Sequence, residues 1–279
     1  MAKLLSFESE WTRRYPSRVH VLRLMREAVG VKEVSYSDMT MTNLENIRSL
    51  MLSRLAQNSA QVYCAILKSF LNAVSEEVDL PTLRFARALR VKSVPSQHCC
   101  LTEEELIKFD EYRPRTQNEE DAKILFMRGA LSGARASDCR VMSTDNIHDG
   151  TLSYVSIKTK IAVEQPIHRR LIKYLQMQPS RERDTKSVNR TLQNMFRRLG
   201  FTEPVTLSRD GEMVTKEKWQ WASSHMARRT FCTILAVHGV PVETIAKLAG
   251  HEHSTTTSKH YICMDTKKLG KEAMSFFND

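Results

Sequence analysis

The chain has 279 residues, 41% of them hydrophobic, and a formal net charge of +10. That length suits one large or two smaller cores, while no stretch approaches the roughly 20 apolar residues of a membrane-spanning helix. The start, MAKLLSFESEWTRR, lacks the apolar centre of a secretory signal.

The basic excess is not confined to a tail. Residues 1–96 hold 14 Lys/Arg against 9 Asp/Glu and the remainder 28 against 23, so each part carries +5. Such a balance suits a polyanionic partner, nucleic acid first, although an ordinary basic protein has it too. The six cysteines, Cys64, Cys99, Cys100, Cys139, Cys232 and Cys263, form no CxxC pair and no framework spacing. Reduced thiols in a cytoplasmic protein are the expectation.

The first third reads as a helix bundle. NLENIRSLMLSRL places Leu44, Ile47, Leu50, Met51 and Leu55 at helical spacing, and SAQVYCAILKSFLNAVSEE does so with Val62, Ile66, Phe70 and Val74, with Ser59 as a candidate N-cap. Glycine is nearly absent there, Pro81 and Pro95 punctuate the end, and the polar run VKSVPSQH predicts a linker near 91–98. A second domain opens at LTEEELIKF, where Thr102 and Glu105 have capping-box spacing. NEEDAKILFMRGALSG predicts an amphipathic helix ended by Gly133, and the period then changes: GTLSYVSIKTKIAVEQPI alternates around a Lys-Thr-Lys corner, as a small antiparallel sheet does. Helices are expected at about 168–177 and 184–199. The segment 204–221 reads as irregular or as another hairpin. Ser223 or Ser224 is placed to cap a helix from His225 to about His238, ended by Gly239 and Pro241. Short helices at 241–249 and 255–263 and a terminal one in DTKKLGKEAMSFF complete the reading.

Within SSHMARRTF, His225 and Arg228 stand three apart and so share a helix face. The free N–H groups and positive dipole of a helix start suit phosphate, whereas two cations there without an anion repel. A salt bridge from Arg228 to an internal carboxylate, with His225 as a cap, explains the same residues. In GALSGARASDCRVM, Asp138 is spaced to orient the guanidinium of Arg135 for bidentate phosphate contact, or to form only a surface ion pair with it. AGHEHSTTTSKHYI sets Tyr261 ten residues after His251; His251, His253, His260 and Cys263 match no familiar zinc spacing, so no metal is expected.

Taken in order, SGARASD, IKTK, HMAR, AGHEH and the tyrosine resemble the tyrosine recombinase, or phage integrase, family over roughly 100–279. On that resemblance Arg135 is the first arginine, Asp138 its acidic support, Lys158 or else Lys160 the hairpin lysine, His225 and Arg228 the His-x-x-Arg pair, and His251 the histidine after glycine. Tyr261 is the nucleophile; His260 occupies the alternative position at nine. The resemblance implies a mainly α fold with a small antiparallel β-sheet (α+β): an N-terminal helical, SAM-like core-binding domain over 1–93 and a catalytic domain over 98–279, without a separate arm-binding domain. It further implies double-stranded DNA as substrate, a homotetramer on paired sites, a Holliday junction, possible accessory proteins, nucleoid association, and no cofactor. The terminal KKLGKEAMSFF is expected to dock on its own domain or on a neighbouring protomer. DNA relaxation in the manner of a type IB topoisomerase, and DNA binding without catalysis, are the alternatives.

Overall fold

The computed structural model describes residues 5–94, 96–181 and 184–260. Tyr261, Cys263 and the expected terminal helix lie outside the described residues, as do the side chains of Lys259 and His260. The chain forms two compact units, one drawn from residues up to 95 with 209–212, the other from 96–208 and from 213 onward.

The first unit comprises α1 (Phe7–Arg14), α2 (His20–Val29), α3 (Met41–Arg54), α4 (Gln57–Val74) and the one-turn α5 (Phe85–Ala88). Phe7 and Trp11 of α1 meet Phe70 of α4 edge to face, with centroids 4.9 and 5.3 Å away. Leu44, Ile47 and Met51 of α3 are fully buried, as their spacing predicts, and Thr40 caps that helix by accepting the Asn43 N–H. The reading of α4 needs two corrections. Its N-cap is Ala56, and the Ser59 N–H bonds back to the Ala56 carbonyl at 2.8 Å, so Ser59 lies inside the first turn. The buried stripe is Ala60, Cys64, Leu67, Phe70, Leu71 and Val74, and Val62 is 43% exposed. Two apolar stripes compete along this helix, and the one that reaches Met51 and the aromatic cluster wins.

The second unit is built round α7 (Gln117–Ser132), which packs on α8 (Ala136–Val141), α9 (Arg169–Gln176), α10 (Thr185–Arg198) and α11 (Ser224–Val237). α6 (Glu103–Glu111) opens it with the predicted capping box of Thr102 and Glu105. α7 is not amphipathic: from Asp121 to Ser132 every residue is buried. Its polar groups are tolerated because each finds partners. Arg128 donates to the carbonyls of Tyr174 (3.0 Å), Cys139 (2.7 Å) and Met177, and Asp121 accepts from the Ser180 N–H (2.9 Å) and hydroxyl (2.8 Å). Phe109, Phe126 and Phe196 stack edge to face beside it.

The change of period becomes an antiparallel sheet of β1 (Ile147–His148), β2 (Thr151–Val155) and β3 (Ala162–Pro166), with Leu152 opposite Gln165 and Tyr154 opposite Val163. The segment after 204 is a second hairpin, β4 (Pro204–Arg209) and β5 (Glu212–Glu217). α12 (Val242–Ala249) and α13 (Ser254–His260) follow α11. The fold is thus mainly helical with small antiparallel sheets. Among the described residues no helix is long and apolar enough to cross a membrane.

Candidate active site

Arg135 reaches its position because α7 stops abruptly. Gly133 has φ +69° and turns the chain so that Arg135, in extended conformation, becomes the N-cap of α8. A Cβ on Gly133 would stand 2.6 Å from Cδ1 of Phe231, so any other residue here must push the ring or the turn aside. Arg135 Nη1 donates to Ser156 Oγ at 3.1 Å and to the Gly250 carbonyl at 3.4 Å. The expected contact with Asp138 is indirect: Ser156 Oγ donates to Asp138 Oδ2 at 3.1 Å, and Oδ1 accepts the Ile157 N–H at 2.9 Å. A cap residue lacks helical angles, so the rule that puts i and i+3 on one face does not hold for this pair.

Lys158 and Lys160 both lie exposed in the loop joining β2 and β3. The loop is closed by the Ser156 N–H to the Ile161 carbonyl (2.9 Å) and the Lys160 N–H to the Ser156 carbonyl (2.8 Å). Lys160 turns left-handed, φ +59°. The charge of Lys158 is among those acting on the His225 ring.

α11 begins at Ser224, but neither serine supplies the side-chain cap. Ser223 occupies the cap position without a side-chain bond, and Asn189 Oδ1, from α10, accepts the Ser224 N–H at 2.8 Å. Arg228, one turn in and 1% exposed, donates from Nη1 to the Gly133 carbonyl (2.7 Å) and from Nε to His251 Nε2 (3.1 Å). These acceptors are neutral and leave the guanidinium charge uncompensated by them. A guanidinium only donates, so His251 Nε2 is the unprotonated nitrogen and Nδ1–H donates to Thr257 Oγ1 at 2.7 Å. Both ring nitrogens thus face inward, and His251 in this arrangement holds Arg228.

His225 has its pKa lowered to about 4, first by burial and then by the charges of Arg229, Arg228, Arg135 and Lys158. Its ring is therefore neutral at pH 7 while cations stand round it. Ser156 and Thr257, both fully buried, escaped the sequence reading; a hydroxyl carries no pattern that marks such a role. Tyr154 escaped it too. Its hydroxyl is buried with no hydrogen-bond partner among the described residues, and burial above all raises its pKa. It stays a neutral phenol, unsuited to attack. Among the described residues no group of three or more His, Cys, Asp or Glu side chains is placed to hold a metal ion.

Side chains from α8, the β2–β3 loop, α11 and the α12–α13 segment therefore converge on one cationic centre. No curated protein matches the chain in sequence. The fold is similar to a lambda integrase(75-356) dimer bound to a COC' core site, at 15% identity and TM-score 0.67 over 94% of this chain and 97% of that one. It is similar as well to XerH site-specific recombinase bound to a palindromic difH substrate (14% identity, TM-score 0.61, 95% of this chain and 76% of that one). A third likeness is to the Tn1549 transposon integrase with circular-intermediate DNA (10% identity, TM-score 0.61, 98% and 100%). The sequence pattern of the phage integrase family matches residues 101–268, well over half the chain and the whole span that carries the clustered side chains. The chain belongs to the phage integrase family.

Proposed function

We propose that the protein is a site-specific DNA recombinase that cuts and rejoins duplex DNA through a 3′-phosphotyrosyl bond. The observation that carries this reading is the gathering of Arg135 from the start of α8, Lys158 from the β2–β3 loop and Arg228 from α11 round the buried, neutral His225 ring. A phosphodiester gains negative charge on its non-bridging oxygens as it becomes pentavalent, and fixed donors aimed at developing charge are the largest usual catalytic contribution. Arg135 and Arg228 clamp those oxygens, with Arg228 steadied by Gly133 and His251.

Tyr261 Oη attacks phosphorus, and its proton passes to the His225 ring, which burial and neighbouring cations keep unprotonated. The bond to the 5′-oxygen breaks as the phosphorus–tyrosine bond forms, and Lys158 Nζ supplies the proton the leaving oxygen needs. Rejoining is the reverse, with a 5′-hydroxyl as nucleophile, so phosphodiester energy is kept and no ATP is spent. In this reading residues 1–93 form the core-binding domain and 98–279 the catalytic domain. Four protomers act on paired sites through a Holliday junction, in the cytoplasm where the nucleoid lies.

A nicked suicide substrate tests the reading: the wild type traps a covalent adduct on a denaturing gel. Tyr261→Phe binds the same duplex but traps none. An adduct in the variant removes Tyr261 from its role, and relaxed DNA without rearranged product in a two-site assay reassigns the enzyme to relaxation.

A further inference from the structure

We infer that the Ser156 hydroxyl is a positioning group for Arg135, tying the guanidinium to Asp138 and to the lysine hairpin; this rests on the recombinase reading above. Ser156 is 0% exposed and Asp138 2% exposed. A serine hydroxyl has one proton, and here its partners dictate where that proton goes. Arg135 Nη1 only donates, so Ser156 Oγ accepts from it at 3.1 Å and spends its own proton on Asp138 Oδ2 at 3.1 Å. The serine backbone is fixed as well, through the Ile161 carbonyl and the Lys160 N–H. The other Asp138 oxygen takes the Ile157 N–H at 2.9 Å, one residue before Lys158. One buried carboxylate thereby holds, through a hydroxyl and a peptide, both the phosphate clamp and the start of the turn that presents the general acid.

The indirect connection has a chemical consequence. A bidentate Arg135–Asp138 ion pair would take two guanidinium donors and offset the positive charge the phosphate needs. A hydroxyl between them fixes the direction of Nη1 and leaves the carboxylate a bond further away. Ser156 thus supplies orientation without neutralisation.

The test is single-turnover cleavage of the suicide duplex by Ser156→Ala, with DNA affinity measured alongside. A misplaced guanidinium should lower the cleavage rate roughly 10- to 100-fold while affinity is unchanged. With a methylphosphonate at the scissile linkage, one charged oxygen is replaced by a methyl group and the clamp has less charge to offset, so the deficit should narrow markedly. Ser156→Ala leaves Asp138 Oδ2 without that donor, so Ser156→Ala/Asp138→Asn serves where the single variant folds poorly, and it should show the same pattern. Normal cleavage by either variant while Arg135→Ala is inactive overturns the inference, as does an equal deficit on both linkages, which marks a merely structural serine. Full cleavage by Arg135→Ala overturns the site reading instead.

Discussion

Replacing Gly133 by alanine should damage stability and catalysis together, and the two costs can be separated. The left-handed backbone at φ +69° costs an alanine about 1 kcal/mol. The added Cβ would also lie 2.6 and 2.8 Å from Cδ1 and Cε1 of Phe231, a contact real side chains do not make. Forcing the ring or the turn aside adds about 2 kcal/mol, as overpacking does. Gly200 is the control: it lies in the same unit, has φ +77°, and an added Cβ there would meet nothing within 4 Å, so Gly200→Ala carries only the backbone cost. For a unit of this size, thermal unfolding followed by circular dichroism should put Gly133→Ala about 4–8 °C below Gly200→Ala. Cleavage measured well below either midpoint should fall for Gly133→Ala alone. Its carbonyl accepts from Arg228 at 2.7 Å, and Phe231 lies one helical turn beyond Arg228. Equal midpoints and equal cleavage rates for the two variants would refute the reasoning.

The depressed His225 pKa makes stability fall in acid. Above its ordinary value of 6.5 the ring is neutral in both states; as pH drops toward about 4 the unfolded chain takes up a proton that the folded one refuses, a loss on the order of 3 kcal/mol. His225→Gln should flatten that part of the pH dependence in urea titrations at pH 7 and pH 4.5, and identical slopes would contradict it. Lys160→Gly relieves about 1 kcal/mol of left-handed strain, offset in part by added freedom in the unfolded chain, so stability should hold and cleavage persist. Lys158→Ala should lower cleavage roughly 10²- to 10⁴-fold, and the opposite ranking in single-turnover assays would hand the general acid to Lys160.

The elements were legible where local chemistry alone decides them. Thr102 with Glu105, the αL stop at Gly133 and the alternation of β2 and β3 each act within a few residues, and each stands as expected. Errors fell where distant packing decides. Val62 and Cys64 lie on competing apolar stripes of α4, and only the rest of the bundle selects between them. α7 looked amphipathic because Asp121, Lys123 and Arg128 are charged, yet all are buried. Lys123 donates to carbonyls at Asp110 and Tyr112, and Arg128 to three more; nothing in the local pattern reveals partners up to 49 residues away.

The candidate site divides the same way. Its charged members could be named because a phosphate demands cations and a transferable proton, and few residue types supply them. Their supports are neutral and interchangeable on paper: a serine hydroxyl, a threonine hydroxyl, and the carbonyls of Gly133 and Gly250. That neutrality has a physical reason. A carboxylate directly against Arg135 would hold it equally well but would weaken the field that draws the phosphate and that, after burial, keeps His225 unprotonated. Neutral acceptors fix direction and preserve charge, so the most constrained part of the site is written in residues that look ordinary. Asp138 is consistent with this: its charge is set one hydroxyl away from Arg135 and is spent on the peptide of the lysine hairpin.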